Sequence, residues 1–262
     1  MTDQSAVTIA RSGAVGIIEM AQPKTMNALS TAAFTAIDQA LDDFEKPDAG
    51  IRVVLVRAQG KHFCTGADLA EAKVLRQDRA KIAGFIDLGH RVLRRLEESD
   101  LPVVVACRGL ALAGGGELMM ACDVAIVSTD FRFGDQHAQY GLIPGWGGSQ
   151  RLPRLIGLRR SLNLFFSAEW IDANTALSWG LVNHVVEPEN LDAFAMAYCE
   201  KLATRSRSGI AAMKRLARDG LDGTLKDGLA TEAELVPSIM VGDDVSEGLS
   251  AFEERRDPHF QN

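Results

Sequence analysis

Short runs of β-branched and aliphatic residues recur along the chain, separated by stretches whose apolar positions repeat every third or fourth residue. Val15–Met20, Val53–Ala58, Val103–Cys107 and Val124–Ser128 read as strands, with Val185–Val186 a further short one. Ser30–Phe44 puts Phe34, Ile37, Leu41 and Phe44 on one helical face, with Ser30 placed as the N-cap. Ala80–Ser99 predicts a second long helix. Asp172–Trp179 predicts a short one, capped by Asp172 and stopped by Gly180. Strands alternating with helices imply an α/β architecture with a largely parallel sheet.

From about Asn190 the strand signal disappears. Asn190–Arg205, Gly209–Arg218, Thr224–Val241 and Asp244–Arg256 all read as helices. The chain therefore divides into an α/β core over residues 1–190 and a helical region over 191–262. Leu225, Leu229, Val236 and Met240 form an apolar stripe in that region. The default expectation is that the stripe packs on the α/β core; the alternative is a subunit interface.

Composition narrows the class. A chain of 262 residues, 47% of them hydrophobic, can bury a large core. A net charge of −7 argues against a general nucleic-acid binder, which wants a basic face. Arg151, Arg154, Arg159 and Arg160 form a local basic cluster, read as a solvated helix face or as a dock for a phosphorylated ligand. Cys64, Cys107, Cys122 and Cys199 make no C-x-x-C pair and read as reduced, mostly buried thiols, which fits a cytoplasmic location. The first residues hold Asp3 and no apolar core of a leader peptide. The apolar stretch at 103–127 is interrupted by Arg108, Glu117 and Asp123, so it fits a buried strand–turn–helix better than a membrane span.

Glu117 is the residue that its surroundings least favour. It follows Gly114-Gly115-Gly116 inside that apolar stretch, and burying an unpaired carboxylate costs several kcal/mol. Such a group persists when it is paired or when its raised proton affinity is useful. Glycines beside it let a ligand approach the backbone. An acid/base next to an anion-stabilising cradle is the reading that follows.

Common fingerprints are missing: there is no G-x-G-x-x-G, no phosphate-binding P-loop, no nucleophile elbow around Ser149, and no histidine pair spaced for a metal. Two glycine-bearing loops remain, Lys61–Leu69 after the strand Val53–Ala58 and Leu112–Leu118 after the strand Val103–Cys107. In a parallel sheet both lie at the carboxyl ends of strands. One N–H from each can converge on a single oxygen, as in an oxyanion hole.

Together with Pro23–Leu29, Phe63–Leu69, Gly109–Asp123, Gly141–Leu152 and Phe252–Phe260, these loops make the chain resemble the crotonase (enoyl-CoA hydratase/isomerase) superfamily along nearly its whole length. The resemblance implies a spiral of ββα turns with a C-terminal helical region, and trimers or dimers of trimers. It implies an acyl-CoA thioester substrate, with coenzyme A part of the substrate and no separate cofactor or metal. Some proteins of the superfamily bind RNA, but the acidic balance argues against a nucleic-acid partner here, and the charges within 103–127 argue against a membrane one. By motif position the resemblance assigns the oxyanion donors to the backbone N–H groups of Thr65 and Gly114, coenzyme binding to Gly66, Ala67 and Asp68, and acid/base catalysis to Glu117.

The chain departs from the family at one place. Where hydratases of the superfamily usually carry a second glutamate, this sequence has His137, within Phe133-Gly134-Asp135-Gln136-His137. Either His137 takes one proton-transfer role, or Glu117 does all of it while His137 or Asp135 orients water or substrate, or His137 is only pocket wall. Asp135 is read as a hydrogen-bonding support. Hydration of a 2-enoyl-CoA is the leading expectation. Isomerisation, thioester hydrolysis, C–C cleavage and decarboxylation on the same cradle are alternatives, as is a non-catalytic acyl-CoA- or RNA-binding protein. Tyr140, Leu142, Trp146 and residues of Ala70–Phe85 are the candidate acyl-pocket lining, and Lys24, Arg57 and Lys214 the candidate phosphate contacts.

Overall fold

A computed structural model describes residues 5–260; Asp3, which entered the reading of the N-terminus, lies outside the described residues. The chain opens on an antiparallel pair, β1 (Val7–Ser12) and β2 (Val15–Met20), followed by α1 (Thr31–Phe44), β3 (Val53–Ala58), α2 (Leu69–Leu75) and α3 (Arg79–Glu98). Next come β4 (Val103–Cys107), β5 (Leu110–Leu112), α4 (Gly114–Met120), β6 (Val124–Ser128), β7 (Arg132–Gly134), α5 (Gly148–Ile156) and α6 (Leu158–Ser167). Then follow β8 (Ile171–Asp172), α7 (Ala173–Trp179), β9 (His184–Val186), α8 (Leu191–Ala203), α9 (Arg207–Asp222), α10 (Leu225–Met240) and α11 (Asp243–Glu254).

A six-stranded sheet has the order β1-β2-β3-β4-β6-β9 and is parallel from β2 onward. A three-stranded sheet, β5-β7-β8, stands beside it. Each turn of chain gives one strand to each sheet before a helix returns: β4 then β5, β6 then β7. Because β4 pairs with β6 and β5 with β7 in the same step, the chain advances as a spiral of ββα turns. That is the architecture the resemblance implied.

The central strands are buried on both faces, which explains their unbroken apolar runs. On one face Val54, Val56, Val103, Val105 and Val127 meet Phe34, Ile37 and Leu41 of α1 and Val92, Leu93 and Leu96 of α3. On the other, Val53, Leu55, Val104, Ala106 and Ile126 meet Leu191, Ala195 and Cys199 of α8. The helical region beginning at residue 191 thus starts with a helix that covers the sheet itself. Capping follows sequence: Ser30 accepts from Ala33 N–H at 3.1 Å and Asp172 from Thr175 N–H at 2.8 Å.

The stripe on α10 does not pack on the α/β core. Leu225 and Met240 are 78% and 58% exposed, and no residue of α10 is buried. Its neighbour is α9, against which Gly228 crosses close to Gly220, so the stripe faces outward. All four cysteines are free and buried. Among the described residues no helix is long and apolar enough to cross a membrane.

Candidate active site

The two glycine-bearing loops meet. The first is held on both sides: Leu112 N–H donates to Cys64 C=O at 3.0 Å, and Cys64 N–H to Leu110 C=O at 3.1 Å. On the opposite edge Leu29 N–H donates to Gly66 C=O and Asp68 N–H to Leu29 C=O, each at 2.8 Å. The second loop leaves β5 through Ala113, at φ 47° and ψ −119°, and enters α4 at Gly114. Only glycine fits at the contact. A Cβ on Gly115 would lie 2.1 Å from the Cys64 carbonyl oxygen, and one on Gly114 would lie 2.5 Å from the Trp146 ring.

Gly114 is the first residue of α4, so its N–H has no partner within the helix and stays available to a ligand. The donor from the other loop is not the one assigned by motif position. Thr65 N–H is spent on the Met26 carbonyl at 3.2 Å. Ala67 lines the same cavity as Gly114, and its N–H points away from Leu29, because in a parallel bridge Leu29 engages residues 66 and 68. No acceptor for the Ala67 N–H occurs among the described residues. Gly66, at φ +104°, lies between the two, and the amide left without an acceptor stands at position 67 rather than 65. No count along the motif reveals that shift.

Glu117 is 1% exposed and has no salt bridge among the described residues. Its Oε1 accepts from Trp146 N–H at 2.8 Å and Gly148 N–H at 2.7 Å, while Oε2 is buried without a partner among the described residues. Burial raises its proton affinity above that of an ordinary carboxylic acid, and the two amides and the charge of His137 only partly offset that rise. The residue lines a cavity of about 670 Å³ together with Thr65, Ala67, Gly114, His137 and Trp146.

His137 and Asp135 form a pair. His137 Nδ1 lies 2.9 Å from Asp135 Oδ1, and the two side chains are 12% and 6% exposed. Burial lowers the basicity of the imidazole, but the Asp135 hydrogen bond and charge, with the charge of Glu117, outweigh it, so the ring holds its proton to higher pH than an ordinary histidine. Asp135 is therefore the support its position suggested.

Other assignments change. The Asp68 carboxylate accepts from Ala70 N–H at 2.9 Å and Glu71 N–H at 3.0 Å, capping α2, and neither it nor Gly66 lines the cavity. Lys214 is held by Asp123 at 2.8 Å and Arg57 by Glu19 at 2.8 Å, so both charges are already used; Lys24 lies in an exposed turn. Arg151 binds Glu97 and Arg160 stacks on Trp179 at 5.1 Å, so the basic cluster is neither uniformly solvated nor a single dock. Tyr140, Leu142 and Trp146 do line the cavity. So do Lys73, Arg76, Ile82 and Phe85 from the segment the sequence left open.

A buried carboxylate with one free oxygen, beside two free amides from adjoining loops, is a site built to move a proton next to a developing oxyanion. The sequence model for enoyl-CoA hydratase/isomerase matches residues 10–262. A short-chain-enoyl-CoA hydratase of Clostridium acetobutylicum is 34% identical over 95% of each chain, and a crotonyl-CoA hydratase of Syntrophomonas wolfei 32% identical over 94% of each. The crystal structure of an enoyl-CoA hydratase from Bacillus anthracis superposes with a TM-score of 0.93 at 31% identity, covering 98% of this chain and 99% of that one. The geometry of the cradle and a likeness that runs from end to end have the same explanation: this chain belongs to the enoyl-CoA hydratase/isomerase family.

Proposed function

We propose that the protein adds water across the C2=C3 bond of a 2-enoyl-CoA thioester, with Glu117 and His137 as its catalytic residues. The observation that carries this reading is the unpartnered Oε2 of Glu117, buried in the cavity that Ala67 and Gly114 also line. The thioester oxygen sits between the N–H groups of Ala67 and Gly114. Glu117 Oε2 takes a proton from a water held at C3. As the hydroxyl bonds to C3, the π electrons of C2=C3 move toward the carbonyl and the thioester oxygen becomes an enolate, which the two amides stabilise. The protonated His137 imidazole then delivers a proton to C2, and the Glu117 proton returns to His137 through solvent after product leaves. The sum is one water added.

Two environments push the two groups into these roles: burial makes Glu117 a stronger base than an exposed carboxylate, and Asp135 keeps His137 protonated. The acyl-CoA enters as substrate, and this chemistry needs no further cofactor. The exposed apolar face of α10 and Phe252, 82% exposed, support assembly into trimers or paired trimers. The four free, buried thiols support a reducing, cytoplasmic setting.

The test mixes purified protein with crotonyl-CoA and with longer and branched enoyl-CoAs, following loss of the conjugated thioester absorbance and the product mass. A product heavier by one water is expected. Glu117→Gln should lower kcat by at least ~10²-fold, the low end for general acid–base catalysis. No turnover of any substrate at saturating concentration removes the reading. A second reading, a double-bond shift by one shuttling base, is favoured by His137 standing in place of a second carboxylate; it predicts a product of unchanged mass.

A further inference from the structure

Glu117 Oε1 receives both of its hydrogen bonds from one three-residue stretch, Trp146 to Gly148. That stretch runs into α5, with Gly148 the helix's first residue and Gly147, at φ +98°, its N-cap. The Gly147–Gly148 peptide is held by the helix's first bonds, from Gln150 N–H at 3.0 Å and Arg151 N–H at 2.8 Å to the Gly147 carbonyl, while the Trp146–Gly147 peptide is not. It is fixed from its other side. Arg151 Nη1 donates to the Trp146 carbonyl at 2.5 Å and so holds the Trp146–Gly147 peptide, the one that joins the two peptides donating to Glu117. The guanidinium lies so close beneath the turn that a Cβ on Gly147 would be 2.3 Å from Nη1.

The guanidinium is itself clamped. Its Nε and Nη2 donate to the two oxygens of Glu97 on α3, at 2.7 and 2.6 Å, a two-pronged pairing that fixes the plane of the fork. Glu97 also meets Arg218 Nη1 at 3.3 Å, and Arg218 Nη2 donates to Asp123 Oδ1 at 2.8 Å. Asp123 Oδ2 accepts from Val103 N–H and Lys214 Nζ, each at 2.8 Å. Asp123 follows α4, the helix that carries Glu117. One ion network therefore ties the carboxylate's own helix to the backbone that supplies its two donors. Arg151 and Glu97 are only 13% and 18% exposed, so water screens the pair weakly.

We propose that Arg151 is a positioning residue for proton transfer: it orients the Trp146–Gly148 amides that hold Glu117 Oε1, so that Oε2 alone faces the substrate. This rests on the role given to Glu117 above. Arg151 does not itself line the cavity, so its loss acts through Glu117 and leaves thioester binding in place.

The experiment measures kcat, KM and the pH dependence of kcat/KM for Arg151→Gln and Glu97→Gln, with thermal melting as a check on folding. The expected result is a kcat reduced by up to ~10²-fold, the cost of misplacing a reacting group by about an ångström, with little change in KM. The acid limb of the profile should also move to higher pH, since the two amides oppose the effect of burial on Glu117. A lowered melting temperature with kcat and the acid limb unchanged overturns the proposal, because a purely structural ion pair behaves that way. Where Arg151→Gln does not fold, Glu97→Gln frees the guanidinium and reads the same limb. Glu117→Gln separates the two levels. If it retains full turnover, the role of Glu117 falls and this inference with it. If it is inactive while the Arg151 and Glu97 profiles overlay the parent, this inference alone falls.

Discussion

Replacing Gly115 by alanine tests the geometry on which the cradle depends. The new Cβ would lie 2.1 Å from the Cys64 carbonyl oxygen, 2.6 Å from its carbon and 2.9 Å from the Cys64 Cβ. Non-bonded heavy atoms rest at about 3.5 Å, so about 1.4 Å of separation must be found. Cys64 cannot swing aside alone, because it is bonded to Leu110 and Leu112 at 3.1 and 3.0 Å. The displacement passes instead to Ala67, three residues along one loop, or to Gly114, next to the substitution. Either way one N–H leaves the range of about 2.7–3.1 Å in which it can hold an oxyanion, and losing one such donor costs ~10²–10³ in kcat. Overpacking should also destabilise the fold by about 1–3 kcal/mol. The assay is enoyl-CoA hydration under saturating substrate, with melting followed by calorimetry. Gly84→Ala is the control. That exposed glycine on α3 has open space where a methyl group would project, with nothing within 4 Å, so alanine there should stabilise by about 0.5–1 kcal/mol with kcat unchanged. A Gly115→Ala protein that melts lower yet keeps its kcat would refute the coupling of the two loops to catalysis.

Two further substitutions probe the neighbouring groups. Asp135→Asn removes the charge that helps raise the proton affinity of His137 and leaves only a neutral acceptor in its place, so the alkaline limb of kcat/KM should shift to lower pH; an unmoved limb rejects His137 as the acid. The stability effect has a defined sign. A raised histidine pKa stabilises the fold below the unfolded value, about 6.5, and that contribution is lost as pH rises through the folded value, so Asp135→Asn should cost more stability in mildly acidic than in alkaline buffer. Ala113→Gly relieves a non-glycine residue held at φ 47° and ψ −119°. It should raise stability by about 1 kcal/mol, the low end for such strain, and a lowered melting temperature would contradict that account.

Much of the frame was legible in the sequence because it follows from periodicity. β2, β3, β4 and β6 of the large sheet are mostly apolar because both of its faces are covered, and α1 and α7 begin at side chains that cap them. The strands left unread were those with little pattern to read: β1 is exposed at all but one position, and β5, β7 and β8 are three residues long or fewer. Glu117 announced itself because a carboxylate in an apolar run has to be explained, whatever the fold. Which carboxylate oxygen is free, and which loop amide is left without an acceptor, could not be read that way. Those depend on the Met26 carbonyl taking the Thr65 N–H and on the Trp146 and Gly148 amides both reaching Oε1. The outward stripe of α10 likewise looked like core, because periodicity marks an apolar face and says nothing of what lies opposite it. Local pattern marks which face of an element is apolar and what kind of element it is. Directions of single peptide groups, and pairings between side chains far apart in the chain, are set only when the packed elements constrain one another.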